Sequence, residues 1–146
     1  MTMPPPSELY KRIETSFLRQ SMMQNLGTTL LRVEPGLCEV SLPYSERVSQ
    51  QQGGFHGGAM GALADIAGGY AALTVALPDM EVTTVEYKIN FLASFNGGEL
   101  RAMGRVVRAG KRIIVTTAEV MHVDASGKQT PCAVMQQTLA PVPKTY

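Results

Sequence analysis

Residues 57–77 constrain this chain more than any other stretch. Of these 21 residues, 12 are glycine or alanine, and Asp65, near the middle, is the single acidic side chain between Arg47 and Asp79. Each glycine in a helix costs roughly 1 kcal/mol relative to alanine, and burial disfavours the charged form of a carboxylate. Local propensity therefore does not explain the segment; tertiary contact or chemistry must. Small side chains along a helix let a sheet approach closely and wrap around it. The stretch approaches the roughly 20 residues that span a bilayer, and Gly57 and Gly61 form a small-xxx-small pair. A carboxylate at mid-span would cost roughly 2.5 to 3.5 kcal/mol, so a membrane span is not expected.

A chain of 146 residues is one domain by size. Its 45% apolar and 17% charged residues place it with globular proteins, far from the disordered class. A formal net charge of +1 lacks the basic excess that nucleic-acid binding leaves. Only the local cluster Arg101, Arg105, Arg108, Lys111 and Arg112 stands out. Cys38 and Cys132 have neither metal-ligand spacing nor a redox-pair motif, and read as reduced core residues of a cytoplasmic protein. Met1 to Pro6 carries no basic run followed by an apolar one, so no secretory signal is expected.

After the proline run, Ser7 reads as an N-cap, and Leu9, Ile13 and Phe17 recur every four residues. This spacing predicts an amphipathic helix ending near Gly27. Leu26 to Glu34 and Leu37 to Leu42 read as strands of a hairpin broken by Pro35-Gly36, followed by a polar loop from Pro43 to Phe55. Loops of that length are more often functional than idle. The small-residue helix follows and stops near Pro78. Four Val/Ile/Thr-rich strands come next: Val82 to Phe91, Glu99 to Val107, Lys111 to Val123 and Pro131 to Ala140. Asn96-Gly97-Gly98, Ala109-Gly110 and Asp124 to Lys128 separate them, so an antiparallel meander is expected. The class is α+β: helix, two strands, one long central helix, four strands. Residues 1–24 form a tail and helix, and residues 25–146 a single domain.

His56-Gly57-Gly58 lies at the junction of loop and central helix. Helix N-termini present unpaired N–H donors and partial positive charge, so Gly57, Gly58 and Ala59 offer the first free amides. Glycines there let a ligand carbonyl reach the backbone, as an oxyanion hole requires. Asp65 has the chemistry of a nucleophile or of a base that activates water. Eight residues of helix separate Gly57 from Asp65, roughly 12 Å, too far for both to touch one reacting carbonyl. If both act in one reaction, either the helix breaks or Asp65 meets the Gly57 amide of a second chain in a two-fold dimer. Taken singly, each residue has a plainer use. His56 can cap a turn, Asp65 can accept structural hydrogen bonds, and Gln50, Gln51 and Gln52 can be solvated. Thr83 and Thr84 can be ordinary strand formers, and Arg108, Lys111 and Arg112 a solvated hairpin tip. The same three cations suit a phosphate-bearing ligand.

Residues 54–65, Gly-Phe-His-Gly-Gly-Ala-Met-Gly-Ala-Leu-Ala-Asp, resemble the signature of the hotdog-fold acyl-CoA thioesterases of the 4-hydroxybenzoyl-CoA and phenylacetate-pathway type. Thr84-Val-Glu-Tyr-Lys-Ile-Asn-Phe-Leu resembles that family's third strand, and Gly104 to Arg112 its next hairpin. The resemblance spans about residues 25–140. It implies a hotdog fold, a long helix wrapped by a six-stranded antiparallel sheet, with an extra N-terminal helix here. It further implies homodimers with shared active sites, which often pair into homotetramers, an acyl-CoA substrate, and no metal or other cofactor. By position, Asp65 corresponds to the catalytic carboxylate and the Gly57 N–H to the carbonyl-polarising donor. His56 and Gly58 flank that donor. Gln50 falls where the family has an Asn or Gln that orients the reacting groups. Thr84, or its neighbour Thr83, falls where a hydroxyl holds the attacking water. Arg108, Lys111 and Arg112 are the candidates for the CoA phosphates. Where relatives carry a hydroxyl one turn after the carboxylate, this chain has Gly69.

The function expected is hydrolysis of an aryl or medium-chain acyl-CoA thioester. A non-catalytic acyl-CoA sensor on the same fold is the alternative. A hydratase would need a His and a carboxylate paired over the acyl chain, and His56 abuts the helix start instead.

Overall fold

The computed structural model describes residues 6–146; the first five residues of the expected tail lie outside it. Three helices, α1 (Glu8–Phe17), α2 (Ser21–Leu26) and α3 (Gly57–Leu73), combine with six strands, β1 (Thr29–Glu34), β2 (Leu37–Pro43), β3 (Met80–Phe91), β4 (Glu99–Ala109), β5 (Ile114–Val123) and β6 (Gln129–Pro143). The strands form one antiparallel sheet in the order β1-β2-β4-β5-β6-β3, and α3 packs against its inner face. This is the architecture the resemblance implied.

The glycines and alanines of α3 are explained by how closely the sheet comes. A Cβ on Gly104 of β4 would overlap the Ala67 carbonyl and stand 2.6 Å from the Gly68 nitrogen. Strand and helix backbones therefore touch where Gly104 and Gly68 pass. Ala64, Ala67 and Ala71 are fully buried, together with Val40, Leu42, Leu100, Ala102 and Val120 from the strands.

Two expectations about chain path are corrected. The single N-terminal helix is two helices. Ser7 caps α1, its hydroxyl accepting from the Tyr10 N–H at 3.0 Å, but the backbone turns extended at Gln20 before α2. The break lets Ile13 and Phe17 enter the core while the Gln20 amide reaches the Tyr70 hydroxyl at 2.9 Å. Arg12 clamps this unit to the turn that follows α3, donating to the carbonyls of Ala76 at 3.2 Å and Leu77 at 2.9 Å.

The four-strand meander is the second correction. β4, β5 and β6 are consecutive neighbours, but β3 pairs only with β6, at the sheet edge. Both edges of β4 are already taken, by β2 and β5. The chain between β3 and β4 is therefore a crossover over the start of α3 rather than a hairpin. Phe55 N–H donates to the Phe95 carbonyl at 2.9 Å, and Phe95 stacks on His122 at 4.3 Å between ring centroids. Asn96-Gly97-Gly98 makes the corner, with φ of +65° and +62° at its glycines, where glycine is favoured.

Smaller shifts follow the same packing. The loop from Pro43 to Phe55 holds a short 3₁₀ turn, Glu46–Val48, and a bridge between Ser49 and Phe55. β5 begins at Ile114, leaving Lys111 and Arg112 in the turn, closed by the Gly110 N–H donating to the Ile113 carbonyl at 2.9 Å. Cys38 and Cys132 are free and buried. Among the described residues no helix is long and apolar enough to cross a membrane.

Candidate active site

The sequence-predicted residues fall into two groups separated along α3. The first gathers at the helix start. His56 is the N-cap, and its Nδ1 accepts from the Gly58 N–H at 2.8 Å. The Ala59 N–H bonds back to the His56 carbonyl at 3.0 Å. Of the three amides expected to be free, two are thus occupied. Among the described residues nothing accepts from the Gly57 N–H, so this is the donor left over. The plainer use of His56, as a cap, is realised; it leaves the Gly57 donor free beside it. Gln50 stands nearby, its side-chain oxygen accepting from the Gln52 N–H and its own N–H bonded to the Gly54 carbonyl at 2.9 Å. The side chain lines a second cleft with Gly54, Ser94 and Phe95, apart from Asp65.

The second group surrounds Asp65, two turns further along α3. The Thr84 hydroxyl donates to Asp65 Oδ1 at 2.7 Å. Thr84 is half-buried and Thr83 exposed; side chains alternate along a strand, so register separates the two threonines and puts Thr84 beside the carboxylate. The Gln137 side-chain amide, from β6, also donates to Asp65 Oδ1. Asp65 and Thr84 line a cleft of about 210 Å³ with Ile66, Gly69, Tyr70 and Leu139.

The N-terminal helical segment also contributes to that cleft. Ser16 of α1 and Gln20 line it, and both bond to the Tyr70 hydroxyl, at 3.1 and 2.9 Å. Burial pushes the Tyr70 phenol up to about 12, against the opposing effect of those two hydrogen bonds. Phe17 packs edge-on against the Tyr70 ring at 5.9 Å. Two further aromatic side chains sit elsewhere: Phe91 covers Gly57, 3.3 Å from where a Cβ there would lie, and Phe95 is held on His122.

Gln137 is the residue that sequence reasoning missed. The inward row of β6 reads Ala133, Met135, Gln137, Leu139, all buried, and the lone amide in an apolar row is the signal that was available. Arg108, Lys111 and Arg112 project from the β4–β5 hairpin and are exposed. The structure does not bring them to Asp65: they line a separate hairpin cleft.

Within one chain, then, a free helix-start amide and a carboxylate beside a cleft lie on one helix, eight residues apart, roughly 12 Å at the usual rise. Comparison with known proteins places the chain in a family. The profile of the thioesterase superfamily matches residues 52–126, which include Gly57, Asp65 and Thr84. A Saccharolobus solfataricus protein that bears an esterase name is 37% identical over 81% of this chain and 83% of its own length. The 1,4-dihydroxy-2-naphthoyl-CoA hydrolase of Listeria monocytogenes is 32% identical over 62% of this chain and 73% of its own. Among solved structures, a thioesterase family protein from Silicibacter pomeroyi superimposes with a TM-score of 0.89 at 32% identity, covering 93% of this chain and 99% of that one. On fold and sequence together, this chain belongs to the thioesterase superfamily and has its hotdog fold.

Proposed function

We propose that the protein hydrolyses an acyl-CoA thioester, with an aryl or medium-chain acyl group, to the free acid and CoA. The observation that carries this reading is the pairing on one helix of an unoccupied N-terminal amide, Gly57, with a cleft-facing carboxylate, Asp65. The acyl-CoA hydrolase from Listeria among its relatives supports the CoA ester as substrate.

In the reaction, the thioester carbonyl accepts from the Gly57 N–H, which holds the negative charge that develops on oxygen. Asp65 takes the proton of a water molecule as its oxygen adds to the carbonyl carbon, or adds to that carbon itself to give an anhydride that water then opens. The C–S bond breaks, and the thiolate of CoA leaves and takes up a proton. Water, a carboxylate and an amide complete this chemistry, so no metal is required, and EDTA should leave the rate unchanged.

Because roughly 12 Å of helix separates the two groups, the Asp65 of one protomer works with the Gly57 of a second in a homodimer, and two dimers pair as a homotetramer. The β3 edge suits the dimer contact. It has one sheet partner, and it exposes Val85, Tyr87 and Phe91, an arrangement that isolated chains avoid. Gln50 and His56 orient the groups at the amide end. Arg108, Lys111 and Arg112 hold the CoA phosphates, so charge removal there should raise KM a few-fold, increasingly at low salt, with kcat unchanged. Free buried cysteines accord with a cytoplasmic setting.

The test is thiol release from a panel of aryl and aliphatic acyl-CoAs by wild type and Asp65→Asn. Release that disappears in Asp65→Asn, with fold and assembly retained, is the expected result. Full release by that variant would overturn the assignment. Binding of acyl-CoA without release by the wild type would point to a sensor.

A further inference from the structure

We propose that Gln137 is a positioning residue for the reacting carboxylate, oriented by Thr116 and admitted by Gly68. The inference rests on the reading of Asp65 as the group that reacts.

Gln137 is 1% exposed, and a primary amide in a core is unfavourable unless its hydrogen bonds are made. Both polar atoms of the amide have partners here, and the nitrogen is directed at Asp65. Its Oε1 accepts from the Thr116 hydroxyl at 2.9 Å, across the β5–β6 pair in which the two residues are direct partners. Its Nε2 donates to Asp65 Oδ1, and lies 3.4 Å from the Asp65 main-chain oxygen and 3.2 Å from the Thr84 hydroxyl. An ionised carboxylate only accepts, so the amide presents nitrogen to Asp65 and oxygen to Thr116. Thr116 is itself fully buried.

Gly68 makes room for this arrangement. A Cβ on it would overlap Gln137 Oε1 and stand 2.6 Å from Thr116 Oγ1. The helix thus carries its least favoured non-proline residue where the amide crosses, one turn from Asp65. A structural core would do better with alanine at 68 and an apolar side chain at 137, matching Met135 and Leu139 on either side. The retained polar trio has a directional consequence. Thr84 and Gln137 both donate to Oδ1, and among the described residues none donates to Oδ2. The carboxylate is locked in rotation with Oδ2 as the oxygen available for water or carbonyl carbon.

The test measures kcat, KM and melting temperature for Gln137→Met, Thr116→Val and Thr116→Ser, each in the wild-type and Asp65→Asn backgrounds. Losing the alignment should lower kcat by about 10- to 100-fold in Gln137→Met, with KM within about twofold. Thr116→Val should lose about three- to tenfold, and Thr116→Ser, which keeps the hydroxyl, should restore the wild-type rate. In Asp65→Asn, where release is already lost, none of these changes should bring it back. Wild-type kcat in Gln137→Met, with only the melting temperature lowered, would overturn the inference. If Gln137→Met does not fold, the Thr116 pair decides: wild-type kcat in Thr116→Val overturns it. The reading of Asp65 fails separately, through full activity of Asp65→Asn alone.

Discussion

The Thr84 hydroxyl donates to Asp65 Oδ1 at 2.7 Å, joining the strand after the central helix to the middle of that helix. Since Thr84 also lies 3.2 Å from the Gln137 amide nitrogen, its oxygen is engaged as donor and acceptor together. In Thr84→Val, kcat for thioester hydrolysis should fall about tenfold, the worth of one hydrogen bond to a charged group. Thr84→Ser should stay within about twofold of wild type, and so should Thr83→Val, because the exposed Thr83 faces away. A loss in Thr83→Val equal to that in Thr84→Val would mean that the register does not discriminate between them.

Gly57 is the first residue of α3, where proline is tolerated because its missing N–H has no helical partner. His56 before it has φ −68° and ψ 136°, the extended region that a following proline demands. Gly57→Pro should therefore fold and yet lose roughly 100- to 1,000-fold in kcat with the oxyanion donor. Co-expression with Asp65→Asn extends the test. If sites are shared, a mixed dimer has one site with both defects and one with none, and activity returns. If each chain makes its own site, every site keeps a defect and mixing restores nothing.

Gly104→Ala should be among the most destabilising alanine substitutions in the chain. The new Cβ meets the backbone of Ala67 and Gly68, which has no rotamer by which to withdraw, so overpacking of about 1 to 3 kcal/mol or more is expected. Urea unfolding reads this directly as a fall in midpoint at constant slope. An unchanged midpoint would mean that helix and sheet are less tightly apposed than the structure has them.

Alkaline pH should destabilise the fold. Burial pushes Cys38 up to about 12, Cys132 to about 11 and Tyr70 to about 12, from ordinary values of 9.0 for the thiols and 10.0 for the phenol. Between the ordinary and raised values the unfolded chain loses protons that the folded chain keeps, so stability falls as pH rises. The melting temperature, in the presence of a reductant, should hold to about pH 8 and decline from about pH 9 upward. Cys38→Ala should lessen the decline, and a melting temperature flat to pH 11 would contradict this account.

Some of the site was legible from local pattern. Asp65 stands out as the single acid in an apolar helix, and His56-Gly57-Gly58 marks the helix start by capping chemistry alone. Asn96-Gly97-Gly98 misled for a physical reason: its dipeptides favour positive φ, which suits a hairpin and a crossover corner alike, and β4 had no free edge for β3. The N-terminal segment misled in the same way. Its four-residue spacing described α1 correctly but carried no information about Gln20 leaving the helix to reach Tyr70.

By itself the sequence determined the element types, the wrapped helix and the two ends of the candidate chemistry, because periodicity, caps and lone charges act over one or two turns. Only the tertiary structure decided that Thr84 and not Thr83 meets Asp65, that two of the three helix-start amides are already bonded, and that Gln137 reaches the carboxylate from 72 residues away. Those depend on strand register and on the close approach of β4 to α3, which arise from packing between segments distant in the chain and leave no local trace beyond a glycine at 68 and an amide in an apolar row.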